Sequence, residues 1–174
     1  MKKLINSLKS DRIREYVLFD IRNNIGSRID LAVQLTSLFI NVETKLFLKS
    51  RAVIKELLIT PQKSSLRGKK IGILFNNLTS SSLEFIFLKS LLNTDNILFM
   101  GIPTSGMLDV ATIYSLNNKY SLSLTTKKYV DINGKELNLK RIEPKIYIDV
   151  NINDVRNNTD SQLKKAIFFL KGGI

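Results

Sequence analysis

The sequence predicts an α/β fold assembled from strand–turn–helix units, and three observations carry that expectation. Two short apolar runs of β type each end in a small polar turn and pass into an apolar pattern of helical period. The first runs from Tyr16 to Phe39 and the second over residues 70–92. Each polar turn falls at the C-terminal end of its strand, where open α/β sheets gather their sites. Finally, 174 residues with 44% hydrophobic content form one domain, large enough to bury most of its apolar surface unaided.

Taken in order, Leu4, Ile5 and Leu8 suggest a short amphipathic helix. Met1-Lys2-Lys3-Leu4-Ile5 begins like a signal peptide, but Asn6, Ser7, Lys9, Asp11 and Arg12 break any apolar core. No run approaches the roughly 20 apolar residues of a membrane span, so the chain as written is expected in the cytoplasm. Tyr16-Val17-Leu18-Phe19 is a compact strand running into the turn Asp20–Ser27, and Asp30–Phe39 is helical. Lys45–Leu48 and Val53–Ile59 read as strands, and Pro61–Lys70 as a polar, basic loop. Ile71–Phe75 is a strand, Asn76–Ser82 a turn, and Leu83, Ile86, Phe87 and Leu91 mark a helix.

Asn96–Met100 is a further strand, ending in Gly101-Ile102-Pro103-Thr104-Ser105-Gly106. Ala111–Ser115 and Tyr120–Thr125 follow, the latter a half-exposed strand by its alternation. Asn133-Gly134 signals a turn, and Pro144 opens a strand over Ile146–Val150. Asp160 N-caps a last helix bearing Leu163, Ala166, Ile167 and Leu170, stopped by Gly172-Gly173.

Composition removes whole classes of chemistry. With no cysteine and no histidine, the chain can form no disulfide, no zinc site of the usual ligands and no histidine-based acid–base pair of its own. No metal or other cofactor is expected. A net charge of +12 suits an anionic partner, yet the lysines are scattered in pairs such as Lys69-Lys70, Lys127-Lys128 and Lys164-Lys165. Without a clustered patch or a reading motif, a solvated surface is the expectation, and no specific nucleic acid is expected as partner.

The chemistry-bearing stretch is Thr79-Ser80-Ser81-Ser82-Leu83-Glu84. A serine there sits beside free backbone N–H groups at a helix N-terminus, which could hold a developing oxyanion. Ser81-x-x-Glu84 also spells a capping box, in which serine and glutamate merely satisfy the first turn. The two readings are compatible.

Four blocks resemble, in order and spacing, the C-terminal-processing (tail-specific) serine peptidases, with the nisin resistance protein branch the nearest in flavour. Tyr16–Ser27 is similar to that family's strand followed by Asp-Leu-Arg-x-Asn-x-Gly-Gly, and Leu74–Glu84 to its serine block. Gly101–Gly106 resembles its Gly-Glu-x-Thr-x-Gly block, and Tyr129–Ile148 its tail block, followed by the Asp160–Leu170 helix. The resemblance implies a ClpP/crotonase-like spiral of strand–strand–helix units over residues 1–174 and a peptide or protein C-terminus as substrate. It implies Ser81 as nucleophile, with the amides of Ser82 and of Gly26 or Ser27 forming an oxyanion hole. Asp20, Arg22, Glu84, Thr104 and Gly106 would support the site, with Asp20 and Arg22 orienting the first turn and Glu84 acting mainly as a cap.

The departures from the family pattern bear on activity. Where lysine-dyad members place their base, after Thr-x-Gly, this chain has Met107, which cannot accept a proton. Members with a Ser–His pair carry the histidine upstream of the Asp-Leu-Arg block, a region expected to be missing here, together with the PDZ-type module. Ser27 replaces a glycine, and Lys145 replaces the acidic residue after proline. The expectation is therefore a serine peptidase core that is impaired or incomplete alone, completed by a histidine-bearing N-terminal half. The alternatives are a non-catalytic peptide-binding descendant and, less in keeping with the lysine pattern, a basic nucleic-acid-binding module.

Overall fold

In the computed structural model, residues 15–26, 28–66, 68–107, 109–137 and 141–173 are described. The helix expected around Leu4, Ile5 and Leu8 lies outside them, as does Ser27.

One sheet is fully parallel, in the order β1 (Tyr16–Asp20), β4 (Lys70–Phe75), β5 (Ile97–Gly101), β8 (Ile146–Tyr147). The second is antiparallel, in the order β3 (Ile54–Ile59), β2 (Thr44–Lys49), β7 (Ser121–Val130), β6 (Val110–Ser115). Helix α1 (Ile29–Thr36) follows β1, and a helix centred on Leu83–Lys89 follows β4. Two C-terminal helices, α2 (Ile152–Asn157) and α3 (Ser161–Leu170), close the chain. The α/β class and both strand–turn–helix units are as the sequence predicts.

The near-continuous apolar run of β4 follows from burial on both faces, as parallel sheets require. On one side Phe19, Ile71, Ile73, Phe75 and Phe99 join the α1 side chains and the β4-following helix in the main core. On the other, Leu74, Met100 and Ile148 pack under Ala166 and Leu170 of α3. The latter helix starts where expected: Asp160 accepts the Leu163 amide at 2.8 Å.

Three expectations change. The helix after the serines is π-wound over Leu83–Lys89, and Leu83 to Leu88 are all buried instead of one stripe alone. It is covered from two directions: Phe87 meets Phe39 edge-on at 5.0 Å, and Phe85 lies over Tyr129 of β7 at 3.7 Å. The strand at Ile146–Val150 shrinks to Ile146–Tyr147, which pairs with Met100 and Gly101, although the Ile148 amide still donates to the Gly101 carbonyl at 2.8 Å. Tyr120–Thr125, expected to be a half-exposed strand, is more open than that: Leu122 and Leu124 in β7, like Ile113 opposite in β6, are exposed. Helix α2 is an addition, started by Asn151 accepting the Asn153 amide and stopped by Asn158 at φ 50°.

Candidate active site

Strands β1 and β4 are neighbours and parallel, so the turns that follow them emerge side by side. The last ladder contact is the Ile21 amide donating to the Leu74 carbonyl at 2.9 Å. Beyond it, side chains join the two turns. The Asn76 Oδ1 accepts from the Asn23 amide at 2.9 Å, and its Nδ2 donates to Asn23 Oδ1 at 2.8 Å. Thr79 Oγ1 donates to the Ile21 carbonyl at 3.0 Å, and the Ser80 amide to the Asn24 carbonyl at 3.0 Å.

This joinery brings Ser81 against Gly26. A Cβ placed on Gly26 would lie 3.5 Å from Ser81 Cβ and 3.7 Å from its Oγ. Ser81 has φ 63°, a left-handed backbone that costs a non-glycine residue about 1–2 kcal/mol. It stands on the sharp bend between β4 and the π-helix, half-buried between Ser80 and Ser82, which are buried.

A third segment closes the site. The Ser81 amide donates to the Met107 carbonyl at 2.8 Å, and the Ser105 amide to the Thr79 carbonyl at 3.2 Å. Glu84 fastens this segment from beneath. Its carboxylate, fully buried, accepts from the Thr104 hydroxyl, from the Gly106 amide at 3.1 Å and from Ser105 Oγ at 3.3 Å. Burial pushes the Glu84 carboxyl above the ordinary carboxylate range, and these hydrogen bonds oppose the rise.

The capping-box reading of Glu84 is thus corrected. The N-cap is Ser82, with no side-chain cap bond, and the glutamate turns inward to the 104–106 loop. The reason is packing: every side chain from Leu83 to Leu88 is buried, so position 84 faces protein where a capping glutamate would face solvent. Thr104 and Gly106 meet here too, Thr104 receiving the Ile142 amide at 2.7 Å.

The expected oxyanion donors divide. Ser82 lies in the first turn of its helix, where amides lack intrahelical partners. Gly26 lies against Ser81, but its amide donates to Asn24 Oδ1 at 3.2 Å, so the arm assigned to it is occupied in this conformation. The local cause is an asparagine bonding two residues ahead.

Asp20 and Arg22 sit on the outer side of the first turn. The Arg22 guanidinium bonds Asp20 and Asp160, each at 2.6 Å, and Gln162 at 3.0 Å, tying the turn to the start of α3. Hydrogen bonds from Arg22 hold the Asp160 carboxyl below its usual range.

Beside Met107 opens a cavity of about 400 Å³, with Asp109, Ala111, Thr125, Lys128 and Tyr129 among its walls. Lys128 is paired with Glu136 at 3.0 Å, and that carboxylate raises its pKa, the opposite of what a base requires. The Tyr129 hydroxyl is buried and completes no hydrogen bond; desolvation pushes it up to about 12, opposed by the nearby Ser82 side chain. Among the described residues, no group of three His, Cys, Asp or Glu side chains could hold a metal ion.

Asn23 and Asn76 were not singled out by sequence as site residues. The available signal is an Asn-Asn pair within each turn, since asparagine tolerates the left-handed backbone found at Asn23, φ 58°.

The chain is similar to known proteins over most of its length. The chain is 24% identical over 178 residues to the carboxy-terminal processing protease CtpA of Bacillus subtilis, covering 96% of this chain and 38% of that protein. Its fold superposes on an S41 protease structure from Bacteroides fragilis with a TM-score of 0.73 and 16% identity, over 98% of this chain and 49% of the other. A lipoprotein from Streptococcus agalactiae gives a TM-score of 0.65 and 19% identity over 99% of this chain and 59% of the other. The chain therefore spans roughly two-fifths to three-fifths of the length of these relatives. Residues 1–148 match the model of Peptidase family S41, and with that match over most of its length the chain belongs to this family of serine peptidases.

Proposed function

We propose that this chain is the nucleophile-bearing core of a peptidase acting on protein C-termini, with Ser81 as the attacking residue. The observation that carries the reading is the backbone of Ser81, left-handed at a strand–helix bend and packed against Gly26. In the reaction, Ser81 Oγ adds to the scissile carbonyl carbon while its proton leaves to a base. The carbonyl oxygen becomes the oxyanion, facing the Ser82 amide and the turn of Gly26 and Ser27. Collapse expels the amine, which takes up the proton, and water then releases the acyl group by the same steps in reverse order. The C-terminal substrate class rests on the activity that CtpA's name states.

No histidine is available in these 174 residues, and Met107 occupies the position beside Ser81 where a lysine would serve. The base is then supplied by a histidine-bearing polypeptide. Alone, the chain turns over peptides slowly or not at all; an unassisted serine hydroxyl forfeits on the order of 10⁶ in turnover in a serine protease. The second reading, a peptide-binding protein without turnover, is favoured by the Asn24 side chain that occupies the Gly26 amide.

The deciding experiment measures hydrolysis of a C-terminal peptide by the purified chain, with Ser81→Ala as control. A histidine-bearing half from a longer relative is then added in trans. Ser81-dependent cleavage only with the added half supports the proposal. Binding without cleavage under both conditions favours the second reading, and robust cleavage by the chain alone shows a base within it.

A further inference from the structure

We infer that Asn23 and Asn76 form a clasp that positions the Gly26 turn against the Ser81 turn; the inference rests on the peptidase reading and adds two positioning residues to it. The β1–β4 ladder ends at Ile21 and Leu74. Between the Asn23–Gly26 segment and the Asn76–Ser81 segment, three hydrogen bonds cross. Two of them involve the Asn76 side chain: Asn23 N–H to Oδ1 at 2.9 Å, and Nδ2 to Asn23 Oδ1 at 2.8 Å. The third is the Ser80 amide to the Asn24 carbonyl, 3.0 Å.

The orientation of the Asn76 amide is fixed by its neighbours. Its Oδ1 also receives the Leu78 amide at 3.2 Å, so two N–H groups face the oxygen and the NH₂ must point to Asn23. Asn76 is 8% exposed, so its carboxamide does not exchange these partners freely for water. An oxyanion hole built from two turns needs both within about 3 Å of one oxygen, and these side chains extend the sheet's pairing to that point. Asn76 and Asn23 touch no reacting atom; they act through the spacing of the turns.

The pair predicts a distinctive pattern. In Asn76→Asp, Oδ1 still accepts both amides, and the exposed Asn23 carboxamide can turn over to donate. In Asn23→Asp, the new carboxylate still accepts from Asn76 Nδ2. In the double variant, two carboxylates face each other with no donor between them. Each single change should stay within about twofold of wild type, and the double should lose at least about tenfold, a strongly non-additive cycle.

The test uses the intact chain and two readouts. Binding of a tripeptide boronic acid is followed by the boron-11 signal of the tetrahedral adduct, with Ser81→Ala as control. Amide hydrogen exchange is followed at Ser80, which should accelerate at least about tenfold in the double variant while Ile73 and Leu74 of β4 hold. If that variant loosens β4 as well, Asn23→Gly replaces it. Glycine accepts the positive φ of that position and removes only the carboxamide, and Ser80 exchange should again rise. Absence of a Ser81-dependent adduct in wild type, both alone and with the histidine-bearing half added, would sink the peptidase reading, and exchange at Ser80 would still decide the clasp. Additive single effects, or unchanged Ser80 exchange in both the double variant and Asn23→Gly, would overturn the inference.

Discussion

Replacing Met107 by lysine should give this chain a base of its own. The Ser81 amide donates to the Met107 carbonyl at 2.8 Å, so the two residues are in direct backbone contact, and a lysine at 107 is expected to reach the hydroxyl. Met107 is 72% exposed, which sets the magnitude. A lysine there is not desolvated and keeps a pKa near 10.4, so only about one molecule in 2,500 carries the neutral amine at pH 7, and about 4% at pH 9. A positioned general base contributes about 10²–10⁴. At pH 7 the small neutral fraction cancels most of that gain; at pH 9 roughly 4- to 400-fold remains. The assay is hydrolysis of a chromogenic peptide anilide by Met107→Lys from pH 6 to 9, each rate corrected by Met107→Lys/Ser81→Ala at the same pH. The Ser81-dependent rate should climb about tenfold per pH unit. A folded variant with no Ser81-dependent rate at pH 9 would refute the placement of residue 107 at the hydroxyl, or Ser81 as the nucleophile.

Ser81→Gly should be more stable than Ser81→Ala by about 1 kcal/mol, read from urea midpoints, because only glycine adopts φ 63° without steric cost. Equal stabilities would mean that the backbone is unstrained. Glu84→Gln should gain stability relative to wild type as pH rises: the buried carboxyl has a raised pKa, so its contribution is complete below the ordinary carboxylate range and is lost as pH climbs through the folded-state value. Urea titrations at pH 4 and pH 8 check the sign, and a difference that shrinks with pH would contradict it. Asp160→Ala should cost about 1 kcal/mol at pH 7 through the lost cap on α3. Because Arg22 lowers the Asp160 pKa, that cost is present above the ordinary carboxylate value and disappears as pH falls through the folded one; a cost independent of pH down to acid would show that the Arg22 pairing adds nothing.

The fold was legible where burial is symmetric. Ile71–Phe75 reads as a buried strand because both faces of β4 are covered, and Asp160 reads as a cap because a single side chain and a single amide make it. The errors fall where a residue's role depends on distant partners. Ser81-x-x-Glu84 has the spacing of a capping box, and only the position of Thr104 and Gly106, some twenty residues on, turns Glu84 inward. The exposure of Leu122 and Leu124 is equally invisible in an alternating pattern, since alternation specifies two faces without saying whether anything covers either. Ser81 itself was found by its setting, strand then helix, while the Asn23–Asn76 joinery arises from two turns more than fifty residues apart.

Two features of the site oppose stability, and that bears on what the site is for. A left-handed serine at position 81 costs about 1–2 kcal/mol that a glycine would avoid. A fully buried carboxylate at position 84 is disfavoured as an ion, where an uncharged amide of similar shape could meet Thr104 and Gly106. Neither is needed to hold the parallel sheet, whose two cores pack without them. Both serve one arrangement: Glu84 fixes the 104–106 loop, the Met107 carbonyl that follows receives the Ser81 amide, and the bend at Ser81 turns its side chain toward Gly26. Local rules broken together at one place, against an otherwise consistent core, are the mark of a site retained for chemistry or binding. The proposed function reconciles that geometry with Met107 through a histidine outside these 174 residues, and adding a histidine-bearing half and substituting lysine at position 107 test that proposal by independent routes.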